Sequence, residues 1–235
     1  METLNKPISI AIETTCRAGG VALGAGAALV EALEFDAARR AATQTVARLD
    51  ELVKRNNLTP ADVEEIYVAS GPGSFTGTRV GITVARTLAQ TVKARCVGVP
   101  TVLAVAEHIQ PLAEVQRLAV VLDARHGRIW WALFERRNGW LEQTSPGTLA
   151  TPEDMLAHAP RPLHLVGEGL GFHALAGADI IALPEPLWLP RVSSVWSAGR
   201  RLAQAGQFTD YHQLLPIYTG KPEAVRVWDA RHGQT

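Results

Sequence analysis

Apolar positions along the chain change period several times, and each change marks an element. Ile8, Ile10 and Ile12 alternate with Ser9 and Ala11 before the run ends at Glu13, the period-two signature of a strand. A polar gap then leads to Gly20-Val21-Ala22-Leu23, a returning strand, and residues 29–35 predict a third. Val46, Leu49 and Val53 recur at helical spacing within residues 43–56, with Asn57 as a stop. Thr59-Pro60-Ala61-Asp62 offers a capping Thr with Pro at the first helical position, hence a short helix before a strand at 66–70.

The next segment, Ser70-Gly71-Pro72-Gly73-Ser74-Phe75-Thr76-Gly77, is a glycine-rich turn that opens a long helical pattern. Gly77, Gly81, Ala85 and Ala89 fall every fourth residue, and Val80, Val84 and Leu88 form the neighbouring stripe. One helix face is therefore almost bare of side chains. Such a face suits close approach of a second helix backbone or packing on the chain's own sheet, and the sequence leaves both open.

After a strand at 94–99 and a helix at 101–110 stopped by Pro111, the order begins again. Leu118 to Asp123 is an apolar strand tipped by an acid, as the strand ending at Glu13 is. A turn, Ala124-Arg125-His126-Gly127-Arg128, leads to a returning strand at 129–134, where Trp130 and Trp131 are expected on opposite faces, one inward and one outward. Thr151-Pro152-Glu153-Asp154 caps a short helix, and Leu163 to Val166 runs into Gly167-Glu168-Gly169. Two halves share an acid-tipped hairpin, a helix, a strand and a glycine turn, which predicts a duplicated α/β protein. The expected division is an N-terminal lobe at 1–105, carrying the partner-binding helices, and a C-terminal lobe at 106–235. Residues 183–190 read as an extended proline-rich segment and 193–206 as a capped helix.

Charge and cysteine content narrow the function classes. Lys plus Arg equals Asp plus Glu at 23 each, so no global positive field holds nucleic acid. Cys16 and Cys96 are too few for a disulfide framework and lack zinc-knuckle spacing. No targeting leader and no long apolar span is read, so a cytoplasmic protein without membrane contact is expected.

The glycine turn fails the known fingerprints. Gly77 is followed by Thr78-Arg79 rather than Lys-Ser/Thr, the spacing of Gly71, Gly73 and Gly77 does not match the dinucleotide pattern, and Ser74 lacks flanking glycines two residues away on each side. A tight strand-to-helix connection capped by Ser74 or Thr76 is favoured, with anion binding at Gly71, Gly73, Ser74 and Thr76 as the alternative. No two of the seven histidines stand three or four apart, so no helical metal pair forms and no metal site is expected. Glu13 and Asp123 would serve as magnesium ligands or a base only in the presence of partners the sequence does not show.

The ordered set of segments resembles the bacterial TsaB family: IAIETT, TQTVARLDELV, IYVASGPGSFTGTRVGITVARTLA, VGVPTVLAVAE, VVLDARHGRIWWALF and LLPIYTGKPEA, densely from Ile8 to Phe134 and thinly from Glu135 to Leu214. The resemblance implies two duplicated lobes of the acetate kinase, sugar kinase and actin (ribonuclease H-like) type. It also implies a non-catalytic, dimerising subunit that supports a TsaD-like enzyme, with a TsaE-like ATPase, in placing a threonylcarbamoyl group on the tRNA adenosine beside the anticodon. TsaD-like relatives hold metal with a His pair shortly after a Val-Pro strand end; the matching stretch after Val99-Pro100, Thr101 to Glu107, has no histidine. Ala42 stands where relatives often carry a His before Thr43-Gln44.

These readings combine into expectations. No catalytic residue is assigned, and the partner-binding surface is expected at Val46, Leu49, Val53, Gly77, Gly81, Val84, Ala85 and Leu88. No cofactor is expected on this chain alone, with ATP and magnesium or zinc belonging to the complex. The expected partners are the TsaD-like subunit, a TsaE-like ATPase, a second copy as a homodimer, and tRNA through the complex. The alternative is an ATP-dependent phosphotransferase of the same fold.

Overall fold

The computed structural model describes residues 6–36, 38–220, 225, 228 and 231–233. Residues 1–5, within the N-terminal stretch read for a leader, and 221–224, the end of the LLPIYTGKPEA match, lie outside them. In the first half, β1 (Ile8–Glu13), β2 (Gly20–Ala25) and β3 (Ala28–Glu34) form an antiparallel meander, followed by α1 (Ala41–Arg55), β4 (Val63–Gly71), α2 (Phe75–Val92) and β5 (Arg95–Pro100). β4 lies parallel to β1 and β5 parallel to β4, giving the order β3-β2-β1-β4-β5.

After α3 (Thr101–Ile109), the second half repeats this plan. β6 (Arg117–Asp123), β7 (Ile129–Arg137) and β8 (Trp140–Gln143) are an antiparallel meander. The short β9 (Thr148–Ala150) pairs with β7, and α4 (Pro152–His158) leads to β10 (Leu163–Val166) and β11 (Ile180–Ala182). β10 is parallel to β6 and β11 to β10, so the order β8-β7-β6-β10-β11 repeats that of the first sheet with the same strand senses. Helix α5 (Val192–Gln204) crosses back to the first sheet.

Strand alternation explains the layering. Ile10, Ile12, Val21, Leu23, Ile66 and Val68 turn to the outer face of the first sheet, where Leu49 and Leu52 of α1 and Ile82 and Ala85 of α2 cover them. Ala11, Ala22, Tyr67 and Ala69 turn inward and meet Val192, Val195 and Trp196 of α5. Conversely, Val102, Val105 and Ile109 of α3 pack on Leu118, Val120 and Phe134 of the second sheet, and Met155 of α4 closes that sheet's far side. Each half thus lends a helix to the middle of the molecule. Trp130 and Trp131 do lie on opposite faces, but neither points to solvent: each is half-buried against a different core. The second sheet has cover on both sides, so its strand has no outward face.

Candidate functional site

Two regions collect the residues singled out by sequence: the cleft at the strand ends and the outer helices of the first lobe. In open α/β sheets the crevice beyond the carboxyl ends of the strands is the usual place for a ligand. Here β1 delivers Glu13, Thr14 and Thr15 to it, β4 delivers Ser70 to Gly73, and β6 and β10 deliver Asp123 and Glu168. Glu13 is fully buried. Its Oε1 accepts the Thr15 amide at 2.5 Å and the Thr15 hydroxyl at 2.6 Å, whereas Oε2 is buried without a hydrogen-bond partner. Burial raises its pKa from 4.5 to about 7. Burial and the neighbouring Glu13 raise the Cys16 thiol, and burial followed by Asp123 raises Glu168. Asp123 pairs with His173 at 3.0 Å.

The cleft is filled. Thr15, Cys16, Gly73 and Glu168 face Trp188, Leu189 and Pro190 across a residual cavity of about 10 Å³, at most the room of one water. Trp188 is fixed by its indole N–H to Leu183 O at 2.7 Å, and the Cys16 thiol approaches Pro190 O at 3.9 Å. Among the described residues no three His, Cys, Asp or Glu side chains converge on a metal position.

The glycine turn is a tight connection. Ser74 is the N-cap of α2, its Oγ accepting the Gly77 amide at 3.2 Å, while its own amide donates to Thr15 O at 2.7 Å. Gly71 has φ +97°, open to glycine alone at low cost, and Ile217 donates its amide to Ser70 O beside it at 2.7 Å. Two amides of the turn, those of Ser74 and Gly77, therefore serve the chain itself, and Gly73, Ser74 and Thr76 remain at the surface.

The bare helix face is a correction to the expected partner surface. Gly77, Gly81 and Ala85 are buried against the chain's own first sheet. A Cβ on Gly77 would lie 1.9 Å from Thr14 O, and one on Gly81 2.3 Å from Thr14 Oγ1. The Thr14 hydroxyl donates to Gly77 O at 2.7 Å. The glycines let β1 and α2 meet backbone to backbone. Leu49 and Val53 also belong inside, whereas Val46 is 63% exposed and Val84 and Leu88 are half-buried at the rim. Thr14, Thr15 and the Trp188–Pro190 plug were not singled out by sequence reading. The polar break after Glu13 and the lone tryptophan in LPEPLWLP were their available signals.

Fold and cleft together define a duplicated, two-lobed α/β protein of the acetate kinase, sugar kinase and actin type, with its interlobe cleft closed by its own chain. The family described as "TsaD: tRNA N6-adenosine threonylcarbamoyltransferase" matches residues 35–193. The Bacillus subtilis tRNA threonylcarbamoyladenosine biosynthesis protein TsaB is 31% identical over 73% of this chain and 76% of its own length. Its Escherichia coli counterpart is 30% identical over 54% of each chain. YeaZ from Pseudomonas aeruginosa superposes with a TM-score of 0.78 at 22% identity, over 90% of this chain and 99% of that one, a likeness of fold. The chain belongs to the TsaB family. Among the described residues no helix is long and apolar enough to cross a membrane.

Proposed function

We propose that this chain is a non-catalytic subunit in tRNA threonylcarbamoyladenosine formation, docking a TsaD-like catalytic partner through the seam between α1 and α2. The carrying observation is the filled cleft in a TsaB-family chain: the crevice where this fold would work on a ligand is occupied by Trp188, Leu189 and Pro190. The docking face is reassigned to the side chains left at the seam, Val46, Val84 and Leu88. A TsaE-like ATPase, and ATP with magnesium or zinc, belong to the assembled complex in this reading, and a second copy of the chain occupies the same face when the partner is absent.

Gly81→Leu is unsuitable as a test, because its side chain would collide with Thr14. Val46→Asp is suitable, since that side chain is already in water. Co-expression with a TsaD-like protein from the same cell and sizing of the product should show assembly weakened about tenfold or more, the effect of burying an unpaired charge in the contact. An undiminished complex would refute the assigned face, and ATP turnover by the isolated chain would refute the non-catalytic role.

A further inference from the structure

Beyond the helix seam, the opposite flank of α2 carries a feature that neither the fold nor protein docking uses. From Thr209 to Tyr218 the chain forms a strap beside α2. The Thr209 amide donates to Cys96 O at 2.8 Å near the start of β5, Leu214 is buried in the first core, and the Ile217 amide donates to Ser70 O at the end of β4. Three anchors thus fix the strap from one end of α2 to the other. At the Phe75 end, Tyr218 packs on Phe75 with ring centroids 5.1 Å apart and the Arg79 guanidinium lies 5.3 Å over the Phe75 ring. Both rings remain in water, Phe75 at 44% and Tyr218 at 37% exposure. At the other end, Thr83, Arg86, Thr87 and Gln90 face Tyr211 and His212 across a groove of about 280 Å³. Tyr211 and His212 have ring centroids 4.1 Å apart. The two aromatic pairs stand about 22 Å apart along the helix, at 1.5 Å per residue from Phe75 to Gln90.

Charge selects the occupant. Between Glu65 and Glu107 the sequence contains no Asp or Glu and four cations, Arg79, Arg86, Lys93 and Arg95. Arg95 is taken by Glu65 at 2.6 Å. Among the described residues Arg79 and Arg86 have no carboxylate partner. Two turns separate them, so both guanidiniums lie on one stripe with Thr83 and Gln90. The groove lining has no acid. Asp210, at the head of the strap, caps its own turn by accepting the His212 amide at 2.8 Å. A row of donors and cations flanked by aromatic pairs, in which Phe75, Tyr218 and His212 are exposed and Tyr211 is half-buried, matches a chain of phosphates bearing unstacked bases, and a duplex, whose bases are already stacked, cannot use the rings.

We infer that the groove between α2 and the Thr209–Tyr218 strap binds a single-stranded segment of RNA, with Arg79 and Arg86 on phosphates and Phe75–Tyr218 and Tyr211–His212 as stacking platforms. The occupant's identity rests on the tRNA-related function proposed above, while the surface lies apart from the protein-docking face. At 100° per residue, Arg86 sits about 160° around α2 from Val84, so both partners bind at once.

The test is fluorescence anisotropy of the full-length chain with a labelled single-stranded oligoribonucleotide, and with the same strand annealed to its complement, between about 50 and 200 mM salt. The single strand should bind more tightly than the duplex. Arg79→Ala and Arg86→Ala should each lower the slope of log affinity against log salt by about 0.7, the loss of one phosphate contact on a single strand. Tyr218→Ala should weaken binding at least about fivefold with the slope retained, as loss of a base stack does. Equal binding of strand and duplex, no binding at the lowest salt, or arginine variants with an unchanged slope would each overturn the inference. Co-purification with the TsaD-like protein separates the two readings: the arginine variants should keep that complex, and Val46→Asp should keep the RNA.

Discussion

Replacing Glu13 with Gln isolates the cost of the buried carboxyl at the end of β1. In the folded chain the neutral form is favoured because burial raises the pKa to about 7, whereas the unfolded side chain titrates at its ordinary 4.5. At 1.36 kcal/mol per pH unit the difference amounts to about 3 kcal/mol. Below pH 4.5 both states hold the proton and nothing is lost. Between pH 4.5 and 7 the unfolded state releases its proton first and the folded state keeps it, so stability falls as pH rises. Above about pH 8 the full penalty is in place. The substituted amide keeps an oxygen for the Thr15 amide and hydroxyl and carries no charge, so this slope should vanish. Thermal unfolding near pH 8 should then place Glu13→Gln above the wild type by about 6–12 °C, taking about 2–4 °C per kcal/mol for a chain of this size. Near pH 4.5 the two should melt together within a few degrees. A wild-type stability that rises from pH 5 to 8 together with the variant's would mean that Glu13 is ionised in the folded state, with a partner for Oε2, and would refute the reasoning.

Two further substitutions test the contact between β1 and α2. Gly77→Ala forces a methyl group to 1.9 Å from Thr14 O; because both groups are fixed to backbone, urea unfolding should show a loss of about 3 kcal/mol or more, the upper range of overpacking. A loss under about 1 kcal/mol would mean that the helix can lift from the strand freely. Ser74→Ala removes the N-cap acceptor of Gly77 and should cost about 1 kcal/mol in the same assay, with no change if the cap is not made in solution.

The order of elements was legible because it depends on local patterns. Ile8, Ile10 and Ile12 declared a strand by alternation, Thr151 declared a helix start by its capping chemistry, and Ser74 was one of two named caps; the structure has all three. Duplication was legible because two acid-tipped hairpins stand at equivalent places in the order. The function of the small-residue stripe was not. Spacing shows that Gly77, Gly81 and Ala85 share a face, but whether that face meets a stranger or the chain's own strand depends on Thr14, sixty-three residues from Gly77 in the contact that decides it. The closed cleft was equally hidden. LPEPLWLP looks extended from its prolines, but Glu185–Leu187 forms a 3-10 turn, and the segment's position depends on α5 returning to the first sheet, which no local period encodes.

The two halves differ in the helices that cover their sheets. Both sheets have the same order, but the first carries α1 before β4 and the eighteen-residue α2 after it. In the second, the seven-residue α4 stands before β10, and only a 3-10 turn at Glu168–Gly171 follows it on the way to β11. A helix of seven residues is only two turns, and its exposed positions, Glu153, Asp154, Ala157 and His158, are mostly charged or polar. The 3-10 turn has none of the length needed for ridge-into-groove packing with another chain. By contrast, α1 and α2 lie side by side over one sheet, and the glycine contact with Thr14 holds α2 low against it. If the seam is the docking face proposed above, burying the small residues sets the height at which Val46, Val84 and Leu88 would meet the partner. Filling Gly81 would then damage docking indirectly, by raising α2 off the sheet, and a complex lost in that variant would not identify Gly81 as a contact. Only a substitution at the rim, such as Val46→Asp, distinguishes a residue that touches the partner from one that positions the helix.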